Sequence, residues 1–273
     1  MRHIPTLGNY DYVIDYVFQP RGAIKLRVGA TGFDAIKSVK AAAMADPTAK
    51  KDTAYGALIA PYTVAPYHDH YINYRLDLDI DGEANTLRRD RIVAAPAQSS
   101  ALRKGLWKIE TETVANEGAV PKGHDAGGEV LRLENPSAMN ALGQHPSYWL
   151  DSGHSVSSIL PADDAPQMRA AFSAHPLWIS RYKPDELWAG GLYPNLSKGG
   201  DGLPQFTADG APAAGEDIVV WYTLGFRHLT KPEDFPILPT YWHEAVLRPA
   251  FFFDRDPSSR LNEAFVPLPE EQQ

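Results

Sequence analysis

Three histidines and one tyrosine are the residues through which this chain could do chemistry. They are Tyr10 in Thr6-Leu7-Gly8-Asn9-Tyr10-Asp11-Tyr12, His68 and His70 in Tyr67-His68-Asp69-His70, and His228 in Arg227-His228-Leu229. Three imidazoles suit copper, which heads the affinity order of the first-row divalent ions for nitrogen donors. A tyrosine at its ordinary pKa of about 10 is inert. Bound to Cu(II) as tyrosinate, its ring becomes an electron-rich target for dioxygen. That chemistry gives a reason for a tyrosine and three histidines to converge.

The elements that must position them show in the periodicity. Along residues 71–80, Ile72, Tyr74, Leu76, Leu78 and Ile80 share one strand face, and Asn73, Arg75, Asp77 and Asp79 share the other. Side chains at i and i+2 point the same way, so the register carried backwards sets His68 and His70 together on the apolar face. Residues 218–226 form a second apolar strand that delivers His228 just past its end. Residues 12–18 and 24–28 read as a hairpin around the turn residues Gln19-Pro20-Arg21-Gly22, with Tyr10 just before its first strand. Residues 33–45 have an alanine-rich helical look, limited to a short excursion by Pro47 and the lysine pair after it. The glycine-rich stretches 123–128 and 199–215 read as long loops, and 267–273 as a solvated tail. There is no internal repeat, low-complexity tract or linker. The expectation is an all-β fold in one domain.

Composition narrows the function classes. With 26 Lys and Arg against 34 Asp and Glu the net charge is −8, which argues against a nucleic-acid partner. No cysteine is present, so disulfides, zinc thiolate sites and iron–sulfur clusters are excluded, while the compartment stays open. No apolar run reaches membrane-span length, and no membrane partner is expected. Met1-Arg2-His3-Ile4-Pro5 lacks the apolar core of a signal peptide, so the chain as written is not expected to be exported by the usual route, and its compartment stays open.

Other motifs yield to simpler readings. His3, His124, His145, His154, His175 and His243 are read as structural, most of them beside glycine, serine or proline. Neighbouring His243 and Glu244 would point apart on a strand. Asp77-Leu78-Asp79-Ile80-Asp81-Gly82 imitates an EF-hand loop, but Arg88 stands where the bidentate glutamate belongs. A cupin would want a glutamate soon after His-x-His, where Tyr74 and Arg75 stand.

Four blocks, in order, resemble the copper amine oxidases. Thr6 to Asp11 is similar to that family's cofactor motif Thr-x-x-Asn-Tyr-Asp/Glu and runs on through Tyr12 to Phe18 and Gly29-Ala30-Thr31-Gly32. His68 to Gly82 resembles the stretch with two copper histidines. Asp217-Ile218-Val219-Val220-Trp221-Tyr222-Thr223, His228 and Pro232-Glu233-Asp234-Phe235-Pro236 resemble the third ligand and its signature. Phe251-Phe252-Phe253-Asp254-Arg255-Asp256-Pro257-Ser258 is similar to the closing block. Thr230, Lys231 and Leu238 depart from the proline, arginine and methionine common there, and none of them is a ligand position.

The resemblance implies a large β super-sandwich, incomplete here, with residues 1–273 as the carboxyl-terminal portion of the catalytic domain and a homodimer as the assembly. It implies that Tyr10 becomes topaquinone, that Asn9 braces the quinone ring, and that His68, His70 and His228 hold copper. Asp77, the Leu78 carbonyl, Asp79, Asp217 and the Ile218 carbonyl match a peripheral cation site, usually given to calcium, whose oxygen-only donors suit a hard ion. The implied reaction oxidises a primary amine with dioxygen to an aldehyde, ammonia and hydrogen peroxide. In that family the aspartate that removes the substrate's α-proton precedes the cofactor motif, and Tyr10 stands nine residues after Met1. Asp11 and Asp15 are not expected to replace it. The other readings are a truncated, non-catalytic copper-binding β domain and, more weakly, a three-histidine copper oxidase without a quinone.

Overall fold

The computed structural model describes residues 1–96, 103–121 and 129–256. The expected loop 123–128, His124, the Pro257-Ser258 end of the closing block and the tail 267–273 lie outside the described residues. In chain order the strands are β1 (Arg2–His3), β2 (Thr6–Leu7), β3 (Tyr10–Phe18), β4 (Ile24–Gly32), β5 (Lys37–Ser38), β6 (Gly56–Ala60), β7 (Thr63–Pro66) and β8 (His68–Asp77). They continue as β9 (Ala84–Pro96), β10 (Gly105–Thr113), β11 (Gly118–Val120), β12 (Glu129–Glu134), β13 (Ser147–Asp151), β14 (Leu177–Arg181), β15 (Glu216–His228) and β16 (Leu238–Ala250). Among the described residues the α-helices are single turns, α1 (Ala49–Asp52), α2 (Ala165–Arg169) and α3 (Leu203–Phe206). The all-β expectation holds.

Two antiparallel layers face each other. One runs β1-β3-β4-β16-β13-β12-β9, with β10 on the outer edge of β9, and the other runs β11-β14-β15-β8. They join at a corner where Glu216 and Asp217 pair with Asn85 and Ala84. Leu26, Val28, Leu133, Leu150 and Leu247 of the first layer pack against Tyr74, Leu76, Ile179, Val220, Tyr222 and Leu224 of the second. Burying each such side chain contributes about 2 kcal/mol, so this layer contact dominates cohesion. β15 is buried on both faces, because Val219 and Trp221 turn outward onto Trp178, Leu203 and Phe206. That explains its unbroken apolar run, where alternation would be expected of a half-covered strand.

The hairpin β3–β4 forms as the sequence indicates, Phe18 opposite Ile24, with Gly22 at φ 82° in the turn. Three boundaries differ from expectation. Tyr10 and His228 are the first and last residues of their strands rather than lying outside them, and β8 stops at Asp77 rather than Ile80. The stop has a cause: Asp79 (φ 39°), Asp81 (φ 52°) and Gly82 (φ 130°) adopt the left-handed backbone of a tight turn. Buried Asn85 locks that turn, accepting from the Ile80 N–H at 2.9 Å and donating to the Gly82 carbonyl at 2.7 Å.

The helical look of residues 33–45 is not realised; β5 and irregular backbone occupy the segment. Carboxylates take the amides a helix would need. Asp52 accepts from the N–H groups of Lys40 and Ala41, and Asp46 from those of Ala42 and Ala43. The stretch 199–215 is loop apart from α3.

Candidate metal centre

The site is assembled by two strand pairs. β8 and β15 pair without interruption from Asp77↔Val219 to His68↔His228, so two of the three histidines are direct cross-strand partners. His70 follows His68 on the same face. The three rings cluster, with centroids 4.7 Å apart for His68–His70, 5.0 Å for His68–His228 and 6.2 Å for His70–His228. One ring nitrogen of each lies within 4.8 Å of the others. β3 brings Tyr10 over this cluster, 5.4 Å from His68 and 5.0 Å from His70 between centroids. Opposite Tyr10 is Gly32 (φ 107°), where a Cβ would come within 2.5 Å of the Asn9 carbonyl.

Each imidazole has one nitrogen committed. His68 Nδ1 donates to the Pro66 carbonyl at 2.8 Å, and His228 Nε2 lies 3.0 Å from Asp234 Oδ2. His70 Nδ1 lies 2.7 Å from the Tyr12 hydroxyl. What remains is His68 Nε2, His70 Nε2 and His228 Nδ1, three nitrogens with their outer partners in place. Metal-bound histidines are oriented in this way, by a hydrogen bond on the other nitrogen. Burial, then the neighbouring His68 and His228, push the His70 pKa down to about 3, which keeps the ring in its neutral, ligating form. The donor set therefore fits copper.

The Tyr10 hydroxyl lies 2.9 Å from His68 Nε2 and 3.2 Å from Asp34 Oδ1, and it accepts from the Ala35 N–H at 3.3 Å. Burial pushes its pKa up to about 12, against the Ala35 hydrogen bond and with help from the Asp34 charge. Burial also raises Asp34, against the attraction of His228. The Asn9 side-chain amide donates to the Asp34 carbonyl at 3.4 Å. Asp11 accepts from Thr6 at 2.5 Å, and Asp15 is paired with Arg2 at 2.7 Å, so each carboxylate is engaged elsewhere. His243 stacks on Phe226, 4.0 Å between centroids, and Phe226 stacks on His70.

Three site residues escaped sequence reasoning. Tyr12 was open to it, being two residues from Tyr10 on an alternating strand. Asp234 lies within the signature after His228. Asp34 carried no signal, because it arrives from the irregular segment after β4.

At the other end of β8, carboxylate oxygens of Asp77, Asp79 and Asp217 lie within 4.8 Å of one another. Leu78 and Ile218 are their immediate chain neighbours. Burial raises the Asp217 carboxyl, with Asp77, Asp79 and Glu83 adding repulsion, and its Oδ1 is buried without a hydrogen-bond partner. Arg75 pairs with Asp77 at 3.2 Å and is one cation against three carboxylates, so an all-oxygen cluster remains that a hard cation would complete.

Residues 1–266 match the family profile described as "Copper amine oxidase, enzyme domain". Primary amine oxidase 1 of Arabidopsis thaliana is 38% identical over 264 residues, covering 94% of this chain and 40% of the relative. The primary amine oxidase of Klebsiella aerogenes is 38% identical over 264 residues, covering 94% of this chain and 35% of its own length. The crystal structure of a copper-containing benzylamine oxidase from Hansenula polymorpha superposes with a TM-score of 0.85 at 26% identity, covering 94% of this chain and 40% of that one. The chain thus spans 35–40% of the length of these two relatives.

Proposed function

The chain belongs to the copper amine oxidase family, and on that premise we propose that residues 1–273 are the carboxyl-terminal portion of a catalytic domain that oxidises primary amines. The substrates are the amine, dioxygen and water, and the products are an aldehyde, ammonia and hydrogen peroxide. The observation that carries this reading is a phenol 2.9 Å from the free nitrogen of one histidine in a three-histidine cluster.

His68 Nε2, His70 Nε2 and His228 Nδ1 would hold copper. Copper, with the topaquinone that Tyr10 would become, would supply the two-electron redox chemistry between the amine and dioxygen. The protein's own contribution is to hold and orient. Pro66, Tyr12 and Asp234 fix the three imidazoles, and the layer contact buries Tyr74 and Leu76 further along the same face of β8. Asp34 and Ala35 hold the Tyr10 oxygen. Asp77, Asp79 and Asp217, with the carbonyls of Leu78 and Ile218, would take calcium in a structural role, and the assembly would be a homodimer. Among the described residues no helix is long and apolar enough to cross a membrane.

Anaerobic loading with one equivalent of copper, followed by air, tests the reading. A visible quinone band should grow in, and Tyr10→Phe should bind copper equally without developing it. Copper bound with no spectral change in the parent chain would leave a metal-binding domain without the cofactor.

A further inference from the structure

We propose that Asp34 is a positioning residue that captures the Tyr10 hydroxyl when metal occupies the histidine cluster; this rests on reading that cluster as a copper site. The Tyr10 oxygen has three polar neighbours among the described residues: His68 Nε2, Asp34 Oδ1 and the Ala35 N–H. The Ala35 amide is a donor, so the phenolic proton has two acceptors to choose between. His68 spends its own ring proton on the Pro66 carbonyl, and its Nε2 lone pair is the one a metal takes. Once that lone pair is engaged, Asp34 is the remaining acceptor.

The same exclusion works from the side of Asp34. Its carboxylate is 1% exposed, and its Oδ2 is buried with no hydrogen-bond partner. Besides Tyr10 it faces His228 Nδ1 at 3.4 Å, the nitrogen that metal also takes. Metal binding therefore leaves Asp34 and Tyr10 to each other. Other carboxylates near the cluster are committed. Asp234 accepts from Lys231 and Tyr241 as well as facing His228, and Asp69 is held by Arg227 and Tyr71.

The backbone delivers this clamp as one piece. Gly32 turns the chain out of β4, the Phe33 N–H donates to the Asn9 carbonyl at 2.8 Å, and the Asn9 side chain holds the Asp34 carbonyl. Asn9 thus braces the segment that holds Tyr10. The acceptor from Asp34 and the donor from Ala35 together fix where the phenol oxygen sits relative to His68.

Zinc, which is redox-inert, allows a test without turnover. Ultraviolet resonance Raman spectra of the zinc-loaded full chain, differenced against Tyr10→Phe, isolate the ring doublet of Tyr10, which reports whether its hydroxyl donates. The zinc-loaded parent should show strong donation, Asp34→Ala should lose it, and Asp34→Asn, which keeps an oxygen acceptor, should retain a weaker form. Without metal, Asp34→Ala should still donate, because His68 then accepts. A merely structural Asp34 would leave the zinc-loaded doublet unchanged in Asp34→Ala, so the doublet, read at saturating zinc, decides. In the copper and air experiment, loss of the contact should slow the growth of the quinone band about tenfold in Asp34→Ala, the effect of one hydrogen bond. A zinc-loaded Asp34→Ala with the parent's doublet overturns the proposal. Failure of the parent to bind either metal overturns the copper reading and the proposal with it. Copper bound without a quinone band counts against the cofactor alone, and the zinc doublet still decides Asp34.

Discussion

The His228 imidazole and the Asp234 carboxylate lie 3.0 Å apart, Nε2 to Oδ2, and the carboxylate side chain is completely buried. Burial by itself would raise the Asp234 carboxyl, but hydrogen bonds from Lys231, His228 and Tyr241 outweigh it and hold the group below the ordinary carboxylate range. The charge that results fixes the His228 proton on Nε2 and leaves Nδ1 for metal. Asp234→Asn should therefore lower copper affinity by about 10–100-fold, the usual effect of removing a ligand's outer hydrogen-bond partner, in a competition titration. His68 and His70 keep their own partners, so binding should weaken without being abolished.

Gly32 sits opposite Tyr10 with a backbone that side chains rarely adopt. Gly32→Ala would push a methyl group into the Asn9 carbonyl, and the shift would reach Tyr10 directly. A loss of about 2–3 kcal/mol in denaturant unfolding is expected, combining backbone strain with the clash. Copper binding should survive, because β8 and β15 do not take part in that contact.

Arg132 bridges Asp90 at 2.7 Å where β9 lies between β10 and β12, with Thr111 also donating to Asp90. Burial would raise Asp90, yet the hydrogen bonds from Arg132 and Thr111 and the charges of Arg132 and Arg88 leave it lowered from 3.8. A depressed carboxylate contributes stability that is present above its unfolded pKa and lost as pH falls through the folded one. Asp90→Asn should cost about 2 kcal/mol at neutral pH, since Arg132 loses one of its two carboxylate partners and keeps Glu134. Below about pH 4 the gap between variant and parent should narrow in acid-unfolding curves.

Calcium should raise the melting temperature of the metal-free chain, and Asp217→Asn should remove the effect. At a hundredfold excess over its dissociation constant, a ligand adds about 2.7 kcal/mol to the folded state. Copper affinity should not change with calcium. A calorimetric scan showing equal shifts in parent and variant would return the acidic cluster to an ordinary solvated turn.

How much of this was legible in the sequence follows from the range of each signal. Side-chain alternation is local, so the common face of His68 and His70, the β3–β4 hairpin and the apolar run of β15 could all be read. Partners arriving from irregular backbone could not. Asp34 and Asp234 reach the cluster through turns whose path depends on tertiary contacts, and no periodicity marks them. The helical look of residues 33–45 failed for a related reason: composition favoured helix, but Asp46 and Asp52 captured the amides from 3 to 12 residues downstream. The end of β8 was misjudged because Leu78 and Ile80 continue the alternation while Asp79 and Asp81 turn the backbone.

The ladder from His68↔His228 to Asp77↔Val219 has no bulge, and nine rises of about 3.3 Å separate its ends by roughly 30 Å. Which face a residue presents depends only on whether its count along the strand is odd or even. Deleting one residue anywhere in 71–76 would therefore reverse one terminus relative to the other, turning away either the two imidazoles or the Asp77 carboxylate. Substitutions along this stretch can be absorbed one at a time, but a change of length cannot. β8 is in that sense a gauge block: its residue count sets both ends at once, the face shown by the two imidazoles and the face shown by the Asp77 carboxylate.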